Sequence, residues 1–178
     1  LGTRPRADIS DEAKTSTSTL EKSTPQEALS SEPTISSAKS FLIENFDAQG
    51  AGQIISEKNP DTKLPIASIA KLMTAIIAVN NYDLREKIEV PKEAVNRKGS
   101  AGKLLAGESF LISDLLYALL IESDNDAART LASQMGVEKF VYLMNQKAIR
   151  LGLENTHYTN PTGLDPDGEE KPNYSTVR

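Results

Sequence analysis

The sequence predicts an α+β fold, with a cluster of helices packed beside an antiparallel sheet. Three observations predict it. Two short apolar runs flank a segment of turn residues, an apolar helical stretch follows near residue 70, and three further helical patterns fill residues 114–151. The 178 residues suffice for one domain.

Taken in order, residues 1–36 are rich in Ser, Thr, Glu and Pro, lack aromatic residues and hold few large apolar ones. Such a segment cannot bury enough surface to offset its ordering entropy. It is expected to be a disordered tether, or alternatively a propeptide, ahead of a domain spanning residues 37–178. Ser40–Glu44 and Gln53–Glu57 read as the strands of a hairpin around Asp47–Gly52. A helix is expected over Ile69–Asn80. Lys87–Val90 reads as a short strand, and residues 98–110 as a loop that allows a hairpin. Ser113 is expected to cap a helix over Asp114–Leu120. A second helix follows over Asp126–Gln134 with Gly136 beyond it, and a third over Val137–Leu151 with Gly152 after it. Phe140, Val141, Met144, Ala148 and Leu151 form the apolar stripe of that third helix. Residues 153–178 read as a loop, from the turn signals Asn160-Pro161, Thr162-Gly163 and Asp165-Pro166-Asp167-Gly168.

Composition excludes several functions. The net charge of −5 and pI near 5.0 argue against nucleic-acid binding, and no basic stripe or aromatic platform offsets them. The absence of cysteine rules out disulfides, zinc–thiolate sites and a cysteine nucleophile. No run approaches the 18 or so apolar residues of a membrane span. The first residue is Leu1 and not Met, so a signal peptide or anchor upstream is expected.

The chemistry-bearing stretch is Leu64–Ala75. Ser68 and Lys71 are three apart, so a helix puts both on one face. A serine hydroxyl needs an adjacent base to act as a nucleophile, and a desolvated lysine can be that base. The same Ser-x-x-Lys spacing recurs at Ser36–Lys39 and Ser100–Lys103. Only Ser68 opens a helix that is apolar nearly all round, as a buried central helix requires. The competing reading is a core helix whose lysine snorkels to the surface.

A second group lies at Ser123-Asp124-Asn125. Residues i and i+2 of a turn can point to the same side. This pair would offer a hydroxyl for proton relay and a carboxamide to grip a peptide-like amide. Ser-Asp-Asn is equally good helix-capping material.

Together, Ser-x-x-Lys on an apolar helix and Ser-Asp-Asn some 55 residues later form the signature of class A β-lactamases and penicillin-binding proteins. The chain resembles the low-molecular-mass penicillin-binding proteins, the serine D-Ala-D-Ala carboxypeptidases. The likeness extends over residues 37–177. It includes Pro65–Ala75, Gly107-Glu108, Asp114–Tyr117, Ser123–Ala128 and Asn155–Leu164.

The resemblance implies a β-lactamase/DD-peptidase-like fold of which this chain holds the N-terminal strands and the helical part. It implies that Ser68 attacks the carbonyl between two D-alanines and forms an acyl-enzyme. Lys71 would take the proton, Ser123 would relay a proton to the leaving D-alanine, and Asn125 would hold the substrate backbone. The Ser68 backbone N–H would form half of an oxyanion hole. Neither metal nor organic cofactor is implied. The implied partners are peptidoglycan stem peptides ending in D-Ala-D-Ala, with β-lactams as covalent inhibitors. The implied location is the bacterial cell envelope outside the cytoplasm, either secreted or held to the membrane by an anchor that this chain does not contain.

Two departures stand out. Ala70 occupies a position that is often threonine in the family, and no Lys-Thr-Gly occurs in the 178 residues. In the family that tripeptide lies on a later strand, where it binds the substrate carboxylate and supplies the second oxyanion N–H. The expectation is a catalytic domain truncated before this motif, inactive by itself and with an open sheet edge.

Three rivals remain. A class A-like β-lactamase would need a Glu-x-x-Leu-Asn setting, and Glu154-Asn155-Thr156-His157 does not supply it. A non-catalytic peptidoglycan-binding homologue would keep the fold without the chemistry. A Ser-His-Asp hydrolase would have to use His157, the only histidine, without a Gly-x-Ser-x-Gly elbow.

Overall fold

The computed structural model describes residues 37–95, 102–165 and 171–178. The expected tether over 1–36, Ser100 and part of the Asp165–Gly168 turn lie outside the described residues.

The hairpin forms as its alternating pattern predicts. β1 (Phe41–Phe46) pairs antiparallel with β2 (Gly52–Lys58). The Asp47 carboxylate closes the turn by accepting from the backbone N–H groups of Gln49 and Ala51, at 2.9 and 2.8 Å. A bulge shifts the register, so Ile43 faces Ser56 while Glu44 faces Ile54.

A short strand, β3 (Leu64–Pro65), leads into a 3₁₀ turn over Ala67–Ile69 and then α1 (Ala70–Asn81). The α-helix thus starts one residue later than expected, with Ser68 in the tight turn before it. α1 is also not buried all round. Ala70, Met73, Ile77 and Ala78 are buried. Ile69, Leu72, Ile76 and Val79 recur at helical spacing on a face left open among the described residues, 37% to 64% exposed.

α1 is nonetheless central, because two clusters meet on it. Ala75 and Ala78 pack with Ile88, Ile112, Leu115, Leu119 and Leu131. Ala70, Met73 and Ile77 pack with Phe140, Met144, Ala148 and Tyr158. Burial on this scale is the main term holding the helices together.

The first cluster includes β4 (Lys87–Glu89), which pairs with β5 (Ser109–Leu111), and α2 (Ile112–Ile121). The expected cap at Ser113 is corrected. α2 begins at Ile112, and its first N–H groups are met by loop carbonyls: Ile112 donates to Glu86 and Ser113 to Leu84, at 3.0 and 3.1 Å. α3 (Asn125–Ser133) is capped by Asp124, whose carboxylate accepts from the Ala127 N–H at 2.8 Å. α4 (Val137–Arg150) follows Gly136 and buries Phe140, Met144 and Ala148 of the expected stripe, while Leu151 stays half exposed.

The C-terminal stretch differs from the loop expected there. β6 (Tyr174–Ser175) pairs antiparallel with β3, and an isolated bridge joins His157 to Tyr174. The result is an α+β architecture in which the strands among the described residues form three separate antiparallel pairs.

Candidate active site

Two of the residues singled out in the sequence, Ser68 and Lys71, meet at the N-terminal end of α1. Ser68 is exposed, and Lys71, one turn later, is 3% exposed. The lysine amine donates to the Ser68 hydroxyl at 3.1 Å and to the Thr162 carbonyl at 2.8 Å. Burial pushes its proton affinity below the ordinary lysine value. The Asp124 carboxylate pulls it partly back, and the Arg129 guanidinium adds to the lowering. The other two Ser-x-x-Lys matches differ. Ser36 and Ser100 lie outside the described residues, Lys39 is exposed, and Lys103 pairs with Glu122 at the surface at 3.3 Å.

The second group sits on the turn between α2 and α3. Ser123 is half-buried with φ +57°, Asp124 caps α3, and Asn125 is 4% exposed. The charge of Asp124 acts on Lys71, so this turn neighbours the lysine. The Asn125 Oδ1 has no hydrogen-bond partner among the described residues, which for a buried carbonyl oxygen costs about 1–3 kcal/mol. Both segments of the site contain a left-handed residue other than glycine, Ala67 at φ +46° and Ser123 at φ +57°. Each such residue costs about 1–2 kcal/mol and persists only where its surroundings over-determine it.

What over-determines the Ser68 elbow is a strap made of residues 156–164 and 173–175, whose role sequence reasoning missed. β6 pairs with β3 just before the elbow, and the Ile66 N–H donates to the Asn173 carbonyl at 3.1 Å. Thr74 of α1 donates to the Pro161 carbonyl at 2.7 Å. Gly163 lies against the Ala67 backbone with φ +80°, leaving no room for a Cβ. Two asparagine amides, the buried Asn173 and the half-buried Asn160, tie the strap together. The Asn173 Oδ1 accepts from the Thr159 and Asn160 N–H groups, and the Asn160 Oδ1 accepts from those of Thr162 and Gly163. The Asn-Pro-Thr-Gly string signalled a turn, but nothing local signalled its partner across the fold.

His157 is exposed, its backbone bonds to Tyr174 and its ring stacks on that tyrosine at 5.7 Å. Among the described residues no cluster of His, Cys, Asp or Glu could hold a metal, and no helix is long and apolar enough to cross a membrane.

Known proteins resemble this chain in sequence and in fold. Residues 26–178 match the D-alanyl-D-alanine carboxypeptidase family, a match that begins inside the segment read as a tether. A D-alanyl-D-alanine endopeptidase of Pseudomonas aeruginosa is 38% identical over 120 residues, covering 65% of this chain and 39% of that protein. The crystal structure of a D-alanyl-D-alanine carboxypeptidase from Mycobacterium tuberculosis superposes with a TM-score of 0.69 at 31% identity, over 78% of this chain and 51% of that one. Penicillin-binding protein D2 of Listeria monocytogenes, in its cefotaxime-bound form, superposes with a TM-score of 0.59 at 32% identity, over 72% and 53%. Against other curated relatives the chain spans 35% to 52% of their length. By the family match across most of its residues, this chain belongs to the D-alanyl-D-alanine carboxypeptidase family.

Proposed function

We propose that this chain carries the acylating centre of a serine D-Ala-D-Ala carboxypeptidase that trims peptidoglycan stem peptides. The observation that carries the reading is the 3.1 Å contact between the Ser68 hydroxyl and a lysine amine that burial holds toward its neutral form. A neutral amine has a lone pair, and across that contact the hydroxyl can donate to it.

In this reading the Ser68 Oγ adds to the carbonyl of the penultimate D-alanine while its proton passes to Lys71. The tetrahedral oxyanion collapses, the C–N bond breaks, and the terminal D-alanine leaves as an amine after receiving a proton through Ser123. Water then attacks the ester, restores the serine and releases the shortened peptide. The Ser68 backbone N–H, at the positive end of α1, supplies one oxyanion donor. Asn125 takes a substrate amide, which supplies the partner its buried Oδ1 lacks among the described residues. β-Lactams acylate the same serine, and the enzyme works outside the cytoplasm in the bacterial envelope. The Listeria relative with cefotaxime bound supports the antibiotic part of this reading.

The direct test is D-alanine release from a synthetic pentapeptide by the full-length protein. The reading expects release that Ser68→Ala abolishes and His157→Ala leaves nearly intact. Equal release by Ser68→Ala would refute it. Because burial lowers the Lys71 proton affinity, the base is absent at low pH and appears as pH rises through that lowered value. Acylation therefore rises with pH to a plateau below the ordinary lysine range. The Pseudomonas relative's name favours a second reading, endopeptidase action on cross-linked peptides. Cleavage of a cross-linked muropeptide dimer without D-alanine release would select it.

A further inference from the structure

We infer that Asn160 is a positioning residue for the Ser68–Lys71 pair: its amide folds residues 160–164 into the turn that aims the Thr162 carbonyl at the lysine amine. The inference rests on the reading of Ser68 and Lys71 as nucleophile and base.

The geometry runs outward from the lysine. A neutral primary amine has two N–H bonds and one lone pair. If nothing holds the N–H bonds, the lone pair points to the hydroxyl only part of the time. The Thr162 carbonyl, 2.8 Å from the Lys71 Nζ, holds one N–H and leaves the lone pair free to face the Ser68 Oγ at 3.1 Å. An uncharged acceptor suits this task, because a carboxylate there would keep the amine protonated.

A backbone carbonyl cannot aim itself, and Asn160 directs this one. Its Oδ1 accepts from the Thr162 N–H at 3.0 Å, the Thr162 hydroxyl at 2.9 Å and the Gly163 N–H at 2.8 Å. Its Nδ2 donates to the Leu164 carbonyl at 3.0 Å. These bonds close an Asx-type turn around the Thr162–Gly163 peptide, so the Thr162 carbonyl on its other side faces α1. Asn173, 1% exposed, fixes Asn160 in turn. Its Oδ1 accepts from the Asn160 N–H at 3.1 Å and its Nδ2 donates to the Asn160 carbonyl at 2.9 Å. The charged groups acting on Lys71 are Asp124 and Arg129, from the α3 side. The strap presents a carbonyl dipole to it.

The test measures acylation by a fluorescent penicillin against pH, in the full-length protein and three variants. Asn160→Ala removes the Asn160 side-chain bonds of the turn and leaves the Leu164 N–H bonded to the Thr162 hydroxyl at 3.1 Å, Asn160→Ser keeps one short acceptor, and Thr162→Ala removes the hydroxyl but leaves the carbonyl. Wild-type labelling confined to Ser68 comes first; its absence would defeat the functional reading and is distinct from failure here. Given that labelling, Asn160→Ala is expected to slow acylation by about tenfold to a hundredfold. It should also move the pH inflection downward, because the ammonium loses its carbonyl acceptor. Asn160→Ser should fall between Asn160→Ala and wild type on both measures, and Thr162→Ala should keep the wild-type inflection. A slower Asn160→Ala with an unmoved inflection would mean a merely structural role and overturn the inference, as would an unchanged rate. If Asn160→Ala does not fold, Asn160→Ser decides by the same two readouts.

Discussion

Replacing Gly163 by alanine tests the contact between strap and elbow, and Gly107 provides an internal control. Both glycines have positive φ, +80° and +90°. A Cβ on Gly107 meets nothing within 4 Å, while one on Gly163 overlaps the Ala67 carbonyl. Gly107→Ala therefore suffers only the left-handed backbone penalty, about 1–2 kcal/mol. Gly163→Ala suffers that penalty and must also push the strap off the elbow, which adds about 1–3 kcal/mol as in other overpacked sites. The reduced entropy of the unfolded chain is common to both substitutions and cancels in the comparison. At about 3 °C per kcal/mol for a domain of this size, the expected losses in melting temperature are about 3–6 °C for Gly107→Ala and about 6–15 °C for Gly163→Ala. Thermal melts of the full-length protein read the stability, and fluorescent-penicillin labelling reads the site. Only Gly163→Ala should acylate more slowly, by about tenfold or more, because the backbone it displaces carries Ser68. Equal melting losses together with equal, wild-type labelling would refute the claim that the strap braces the elbow.

Three further predictions follow from burial and charge. Phe140, fully buried in the cluster that joins α1 to α4, should cost about 3–5 kcal/mol when cut to alanine, measured by urea unfolding, with labelling per folded molecule unchanged. Asp124→Asn keeps an oxygen for the Ala127 N–H but removes the charge that supports the Lys71 ammonium. The pH inflection of acylation should therefore move down, while stability falls by about 1–3 kcal/mol, because the new amide NH2 faces the Lys103 N–H from which Oδ2 accepts at 3.1 Å. Asn125→Ala removes a buried oxygen that has no partner among the described residues, so unfolding should show a loss below about 1 kcal/mol while D-alanine release falls sharply. Comparable losses in both would make Asn125 a structural residue.

The parts of the fold legible in the sequence are those whose signal is local. β1 and β2 alternate around an Asp-initiated turn, and α4 shows Phe140, Met144 and Ala148 at helical spacing. The Ser68–Lys71 contact was legible for the same reason, being three residues apart in a wound segment. The 3₁₀ winding at Ala67–Ile69 was not, because the elbow's shape depends on strap residues about a hundred positions later. Ser113 looked like a cap because its residue type is right; the carbonyls of Leu84 and Glu86, brought in by the fold, occupy the N–H groups instead. The strap read as a loop because Asn, Thr, Pro and Gly mark turns wherever they occur. Its bonds to Lys71 and Thr74 span 91 and 87 residues and leave no periodic trace.

Mass spectrometry of the full-length protein after exposure to penicillin tests the central claim most directly. The account predicts one penicilloyl adduct, on the peptide carrying Ser68, that is lost in Ser68→Ala and strongly reduced in Lys71→Met. An adduct on another side chain, or none, would contradict it.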